Sequence, residues 1–164
     1  YPIEHENSLK QTELAFQVQR FARVGGTNVV QLVLSHLFDR FPTLQIGCLE
    51  TYLGWVPFFM EMADVRYNRH IYWSEKLLGF EPLKAMPSEI MKEHFYWGFQ
   101  QDRAGIELRH HMGIDKLMWA ADFPHQESDW PNSDRVIMHN FHDVPEEEVR
   151  MMTVTNAQRF YGIG

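Results

Sequence analysis

Three short apolar runs constrain this chain more than any other feature: Leu44 to Leu49, His94 to Phe99 and Lys116 to Ala121. Each is too brief for a helix, and polar or acidic residues follow each one, as they do after strands buried on both faces. Helix signals fill the intervals. Alternation of this kind builds βα units around a parallel sheet, so the expected fold class is α/β. A closed eight-stranded barrel needs roughly 250 residues. If this is barrel sequence, 164 residues are less than the whole of one.

The helix signals are local and physical. From Ser8 to Val24 the spacing of Leu14, Val18 and Phe21 predicts an amphipathic helix that Gly25-Gly26 ends. Thr27 or Asn28 would cap a second helix carrying Val30, Val33, Leu34, Leu37 and Phe38, with Pro42 as its outer limit. Pro57 starts a third, running to about Arg69, and the stretch from Ile71 to Met86 is less regular. Pro87-Ser88-Glu89 opens a short helix, and Asp102 caps another that ends at Gly113. A helix is expected from Pro131 to about His142. Another is capped by Asp143 with Glu146 completing a capping box, and a last one is capped by Thr155 and stopped by Gly162. No repeat, linker or low-complexity tract interrupts this order.

Composition narrows the functional classes. The chain is one domain long, 45% hydrophobic and 14% aromatic, which excludes disorder and collagen-like or disulfide scaffolds. Fifteen basic against 22 acidic residues give a net charge of −7, which argues against nucleic acid or an anionic membrane as partner. The single cysteine, Cys48, excludes an internal disulfide and points to a reducing compartment. No apolar run reaches membrane-spanning length, so a cytoplasmic protein is expected. The Tyr1-Pro2 start is not an initiator and Glu4-His5-Glu6-Asn7 is no signal peptide, which predicts a fragment of a longer chain.

In parallel α/β sheets the chemistry sits at the carboxyl ends of the strands. Three acids fall there: Glu50, Asp102 and Asp122. Asp102 stands where a helix cap is wanted, and capping is its expected role. Glu50 divides between a structural carboxylate and a site residue. Asp122 is followed by Phe123-Pro124-His125 and then Glu127, which puts several metal-ligating or proton-transfer groups on one loop. Trp55, Phe58 and Phe59 read as core packing, although Trp55 beside Gly54 at a strand exit can also wall a pocket. His36, His110-His111 and His139 read as helix residues rather than ligands. No His-x-His or His-Glu-x-x-His pair is present. Gly25-Gly26 lacks the frame of a phosphate loop, no serine elbow occurs, and Cys48 has no evident base.

Three blocks now combine: Phe41-Pro42-Thr43-Leu44 leading to Glu50-Thr51-Tyr52-Leu53-Gly54-Trp55-Val56-Pro57, Met118-Trp119-Ala120-Ala121-Asp122-Phe123-Pro124-His125 continuing to Trp130-Pro131, and Asn156-Ala157-Gln158-Arg159-Phe160-Tyr161-Gly162. Together they resemble the C-terminal half of the amidohydrolase-related family, in the branch of aminocarboxymuconate-semialdehyde decarboxylase. The resemblance implies the C-terminal portion of a (β/α)8 TIM barrel, about strands six to eight with their helices, and a divalent metal, zinc by expectation, at the barrel mouth. It implies that Asp122 is a metal ligand and general base. Glu50, Trp55 and His125 are then the expected substrate-binding residues. Many members carry a histidine where this chain has Glu50, and a carboxylate does not replace a proton-donating imidazole at neutral pH. The family's other metal ligands would lie before Tyr1. The expected function is therefore a metal-dependent hydrolase acting on a small carboxylated or cyclic substrate, inactive as an isolated chain. Decarboxylation by the same family is the alternative. A non-catalytic half-barrel serving as an interaction module is the alternative from another class, and a homodimer is left open.

Overall fold

The structure is a computed structural model that describes residues 25–164. The helix expected from Ser8 to Val24 lies outside the described residues. Residues 25–34 are helical (α1), followed by α2 (Leu37–Arg40), β1 (Ile46–Cys48) and the long helix α3 (Val56–Leu78). Helix α4 (Pro87–His94) leads directly into β2 (Phe95–Phe99), then α5 (Arg103–Glu107) and α6 (Arg109–Met112) lead to β3 (Leu117–Trp119). Three helices close the chain: α7 (Ser133–Asn140), α8 (Glu146–Arg150) and, after a π-helical stretch at Met151–Thr155, α9 (Asn156–Tyr161).

The strands pair in the order β1-β2-β3, all parallel, with Cys48 beside Trp97 and Trp97 beside Leu117. This is the α/β arrangement that the apolar runs specify. As the central strand, β2 is buried at every position. Phe95, Trp97 and Phe99 face the helices and pack with Val56 and Met60 of α3, Ile106, Met112 and Met152. On the other face Tyr96 meets the Phe160 ring at 4.9 Å. Asn156 fixes α9 beneath β3, its buried amide donating to the carbonyls of Ile114 and Leu117 at 2.8 Å each. Among the described residues no helix is long and apolar enough to cross a membrane.

Several helix boundaries differ from expectation, each for a tertiary reason. Gly25 and Gly26 lie within helix α1 rather than ending one, so Thr27 and Asn28 are not its caps. An added Cβ would stand 3.1 Å from the Trp55 ring at Gly25 and 3.1 Å from the Phe59 ring at Gly26, so the two glycines let α1 approach α3 closely. The break falls instead at His36, which adopts a left-handed conformation before α2. Helix α3 continues past Arg69 to Leu78, where Gly79 in the left-handed conformation closes it. Asp143 does not cap α8: its carboxylate takes both guanidinium nitrogens of Arg103 at 2.6 Å each, and Pro145 stands at the N-cap. Thr155 makes no cap either, because the π-helical stretch runs unbroken into α9. Phe58 is exposed rather than part of the core.

Candidate active site

The carboxyl ends of the three strands enclose a cavity of about 420 Å³. Glu50 reaches it from β1, Gln100 from β2 and Asp122 from β3. The backbone turns sharply into this space. Glu50 and Asp122 both have φ of 56° and Tyr52 has φ of 59°, left-handed values that cost a non-glycine residue about 1–2 kcal/mol. Such strain persists only where surrounding contacts enforce it, and it gathers at functional sites.

The enforcing contacts are visible for both loops. Behind Glu50, the Thr51 amide donates to the Gly98 carbonyl at 3.2 Å and the Trp55 indole to the Thr51 carbonyl at 2.6 Å. The amides of Leu53 and Gly54 donate to one carboxylate oxygen of Asp102, while its other oxygen takes the Gly105 amide at 2.8 Å. Asp102 thus caps α5, as expected, and also ties the loop after β1 to it. An added Cβ at Gly105 would sit 2.3 Å from the Leu53 Cβ, so only glycine permits this junction. Behind Asp122, the Ala121 carbonyl accepts from the Ser128 hydroxyl at 2.8 Å, the Asp129 amide at 3.1 Å and the Gln100 side chain at 3.3 Å.

Asp122, His125 and Glu50 converge. His125 Nδ1 lies 2.8 and 3.0 Å from the two oxygens of Asp122, whose side chain is 12% exposed against 66% for the imidazole. One ligand-type atom from each of the three residues falls within 4.8 Å of the others. Bonds of about 2.1 Å to one ion put neighbouring octahedral donors about 3 Å apart and opposite ones about 4.2 Å apart, so the three side chains would draw together to share a divalent cation. Two carboxylates and an imidazole suit manganese or zinc.

Trp55 does not line this cavity. Its ring packs edge-on to Trp97 and Phe59 at 5.8 and 5.3 Å, on the helix-facing side of the sheet. A larger groove of about 1010 Å³ between α1 and α3 contains none of the three converging residues. Burial raises the Cys48 thiol to about 11, which leaves it protonated and unreactive at neutral pH. Burial also raises Tyr52, reinforced by the negative charges of Glu127, Asp102 and Asp129. Gln100 was legible in the sequence by the rule that singles out Glu50, since it directly follows an apolar run. The bonds from the Gln100 side chain to the carbonyls of Ala121 and Glu127, 21 and 27 positions away, were not.

Residues 9–163 match the family model for amidohydrolases. The chain belongs to the amidohydrolase family. Solved structures with the same fold include 5-carboxyvanillate decarboxylase LigW from Sphingomonas paucimobilis, with 26% identity and a TM-score of 0.69 over 84% of this chain. The 5-carboxyvanillate decarboxylase of Novosphingobium aromaticivorans, complexed with manganese and 4-hydroxy-3-methoxy-5-nitrobenzoic acid, gives 21%, 0.69 and 84%. Dihydroxybenzoic acid decarboxylase from Polaromonas sp. JS666, with manganese and 2-nitroresorcinol, gives 19%, 0.62 and 84%. The amidohydrolase chain spans 39%, 38% and 39% of these three proteins, and its sheet matches part of their fold. No match was found among curated proteins. Zinc is the metal expected from the resemblance, but two of these neighbours hold manganese, so the comparison supports a divalent metal and not zinc in particular.

Proposed function

We propose that this chain forms one side of the mouth of a metal-dependent decarboxylase for small aromatic carboxylic acids. The convergence of Glu50 and Asp122 at the strand-end cavity, with His125 beside them, carries the reading. The expected hydrolase yields first place here, because solved neighbours of this amidohydrolase chain include decarboxylases of phenolic acids. In this reading the three strands are six to eight of the barrel, and further metal donors come from the part that the neighbours have and these residues do not span.

Glu50 and Asp122 would hold the cation, with His125 ligating or orienting Asp122. When bound, a divalent ion supplies positive charge that draws an anionic acid into the mouth. Loss of CO₂ breaks the bond between ring and carboxyl carbon and leaves an electron pair on the ring, which a proton must fill. With Asp122 holding the cation as a carboxylate, the proton would be carried by the His125 imidazole, 2.8 Å from Asp122, which would orient it. Glu50 stands where the resemblance implies a histidine, so proton transfer rests on the Asp122–His125 pair.

A hydrolase is the second reading, favoured by that same pair, which can take a proton from an attacking water. The test is to load the full-length protein with manganese and supply phenolic carboxylic acids such as 2,6-dihydroxybenzoate alongside lactone and amide substrates. Release of CO₂ that a chelator abolishes and manganese restores is expected. Turnover of lactones or amides with no CO₂ from any acid would overturn the decarboxylase.

A further inference from the structure

The loop that carries Asp122 and His125 has little packing of its own. Residues 123–127 are exposed, and the His125 side chain is as open as the loop around it. The backbone ladder between β2 and β3 ends where the Ala120 amide donates to the Phe99 carbonyl at 2.9 Å. From there the Gln100 side chain continues the connection. Its Nε2 donates to the Ala121 carbonyl and to the Glu127 carbonyl, at 3.3 Å each. Two acceptors fix which end of the amide is the nitrogen. Gln100 is itself anchored, because the buried Asn140 side chain donates to its backbone carbonyl at 2.8 Å.

Peptide planarity decides what these two bonds hold. The Ala121 carbonyl lies in one rigid plane with the Asp122 nitrogen. Holding that carbonyl therefore sets the plane from which the Asp122 backbone turns, at φ of 56°, toward the cavity. The Glu127 carbonyl lies in one plane with the Ser128 nitrogen, and the Ser128 amide donates to the His125 carbonyl at 3.0 Å. A single side chain at the end of β2 thus aims the backbone of both members of the pair. Gln101 braces the base of the same loop, donating to the Asp129 carboxylate at 2.6 Å, while the Asp129 amide donates to the Ala121 carbonyl at 3.1 Å.

We propose that Gln100 is a positioning residue, which sets the geometry in which Asp122 and His125 meet a divalent cation. The proposal rests on the reading of Asp122 as a holder of that cation. Gln100→Met keeps the length of the side chain and removes both donors, and full-length protein carrying it provides the test. Hydrogen exchange of the amides across residues 121–129 should rise while that of Phe95–Phe99 stays unchanged. The dissociation constant for manganese should rise about 10–100-fold. The kcat for a phenolic acid should fall by a similar factor with KM nearly constant, and the melting temperature should move by less than about 3 °C. Gln100→Asn, which keeps the donors but draws them back by one methylene, should fall between the wild type and Gln100→Met in exchange and in manganese affinity. Unchanged exchange in both variants would overturn the proposal. So would faster exchange with manganese affinity and kcat intact, which makes Gln100 a loop tether, or a rise in KM alone, which makes it a substrate contact. A wild type that takes up no manganese would strike down the metal site and this proposal with it, whereas manganese uptake without release of CO₂ would strike down the reaction alone.

Discussion

Asp102 and Asp122 occupy equivalent places, each just beyond the carboxyl end of a strand, yet their surroundings differ completely. Asp102 accepts three backbone amides, from Leu53, Gly54 and Gly105, which consume its oxygens in holding two loops together. Asp122 is held by one imidazole, turns toward the cavity on a left-handed backbone, and joins Glu50 in a cluster able to take a cation. A carboxylate surrounded by amides is a joint, and one left facing a cavity is available for chemistry. Position on the strand sets the opportunity. The partners decide the use.

That contrast predicts opposite responses to mutation. The largest effect is expected for Asp122→Asn, which keeps the side-chain shape and tolerance of positive φ but removes the negative charge that would hold the cation and orient His125. Decarboxylation should fall about 10²–10⁴-fold, measured by steady-state kinetics, with a change in melting temperature below about 3 °C. A variant that lost its fold together with its activity would erase the distinction. Asp102→Ala should do the reverse at the level of stability. Stranding three amide donors should cost about 2–4 kcal/mol in urea unfolding, and an unchanged midpoint would show that water replaces the carboxylate.

Gly105→Ala attacks the same joint from the other side. Its Cβ cannot coexist with Leu53 and with the Asp102 carboxylate 2.8 Å away, so a loss of about 1–3 kcal/mol is expected by the same measurement. The smallest effect concerns a third acid, Asp143, whose partner is a charge. The Arg103 guanidinium lowers this carboxyl to about 2, below its unfolded value of about 3.9. The pair therefore adds stability that is fully present above the unfolded value and is lost as the pH falls toward 2. Unfolding midpoints of the wild type and Asp143→Asn should differ slightly at neutral pH and converge near pH 2. A gap that persisted in acid would mean that packing, not charge, holds this contact.

Much of the fold is legible because strand signals are local. The observed strands Ile46–Cys48, Phe95–Phe99 and Leu117–Trp119 fall inside the three apolar runs, and the acids that follow two of them frame the cavity. The motif blocks around Glu50, Asp122 and Asn156 were enough to indicate the family that the comparison shows. Helix boundaries were less legible wherever packing overrode local chemistry. Gly25-Gly26 reads as a stop in sequence, yet it is helical because Trp55 and Phe59 need the space. Asp143 with Glu146 reads as a capping box, yet Arg103, 40 positions away, takes the carboxylate.

The chain by itself therefore determined the α/β class, the positions of the strands and the candidate acids, since each depends on neighbours within a few residues. Only the tertiary structure decided which carboxylate is a joint and which faces the cavity. The partners of Asp102 at Leu53 and Gly54 lie 49 and 48 positions away, and Glu50 reaches Asp122 only across the parallel sheet. A hydrogen bond or a metal cluster is a relation between atoms in space, and a one-dimensional pattern fixes the atoms without fixing who meets whom.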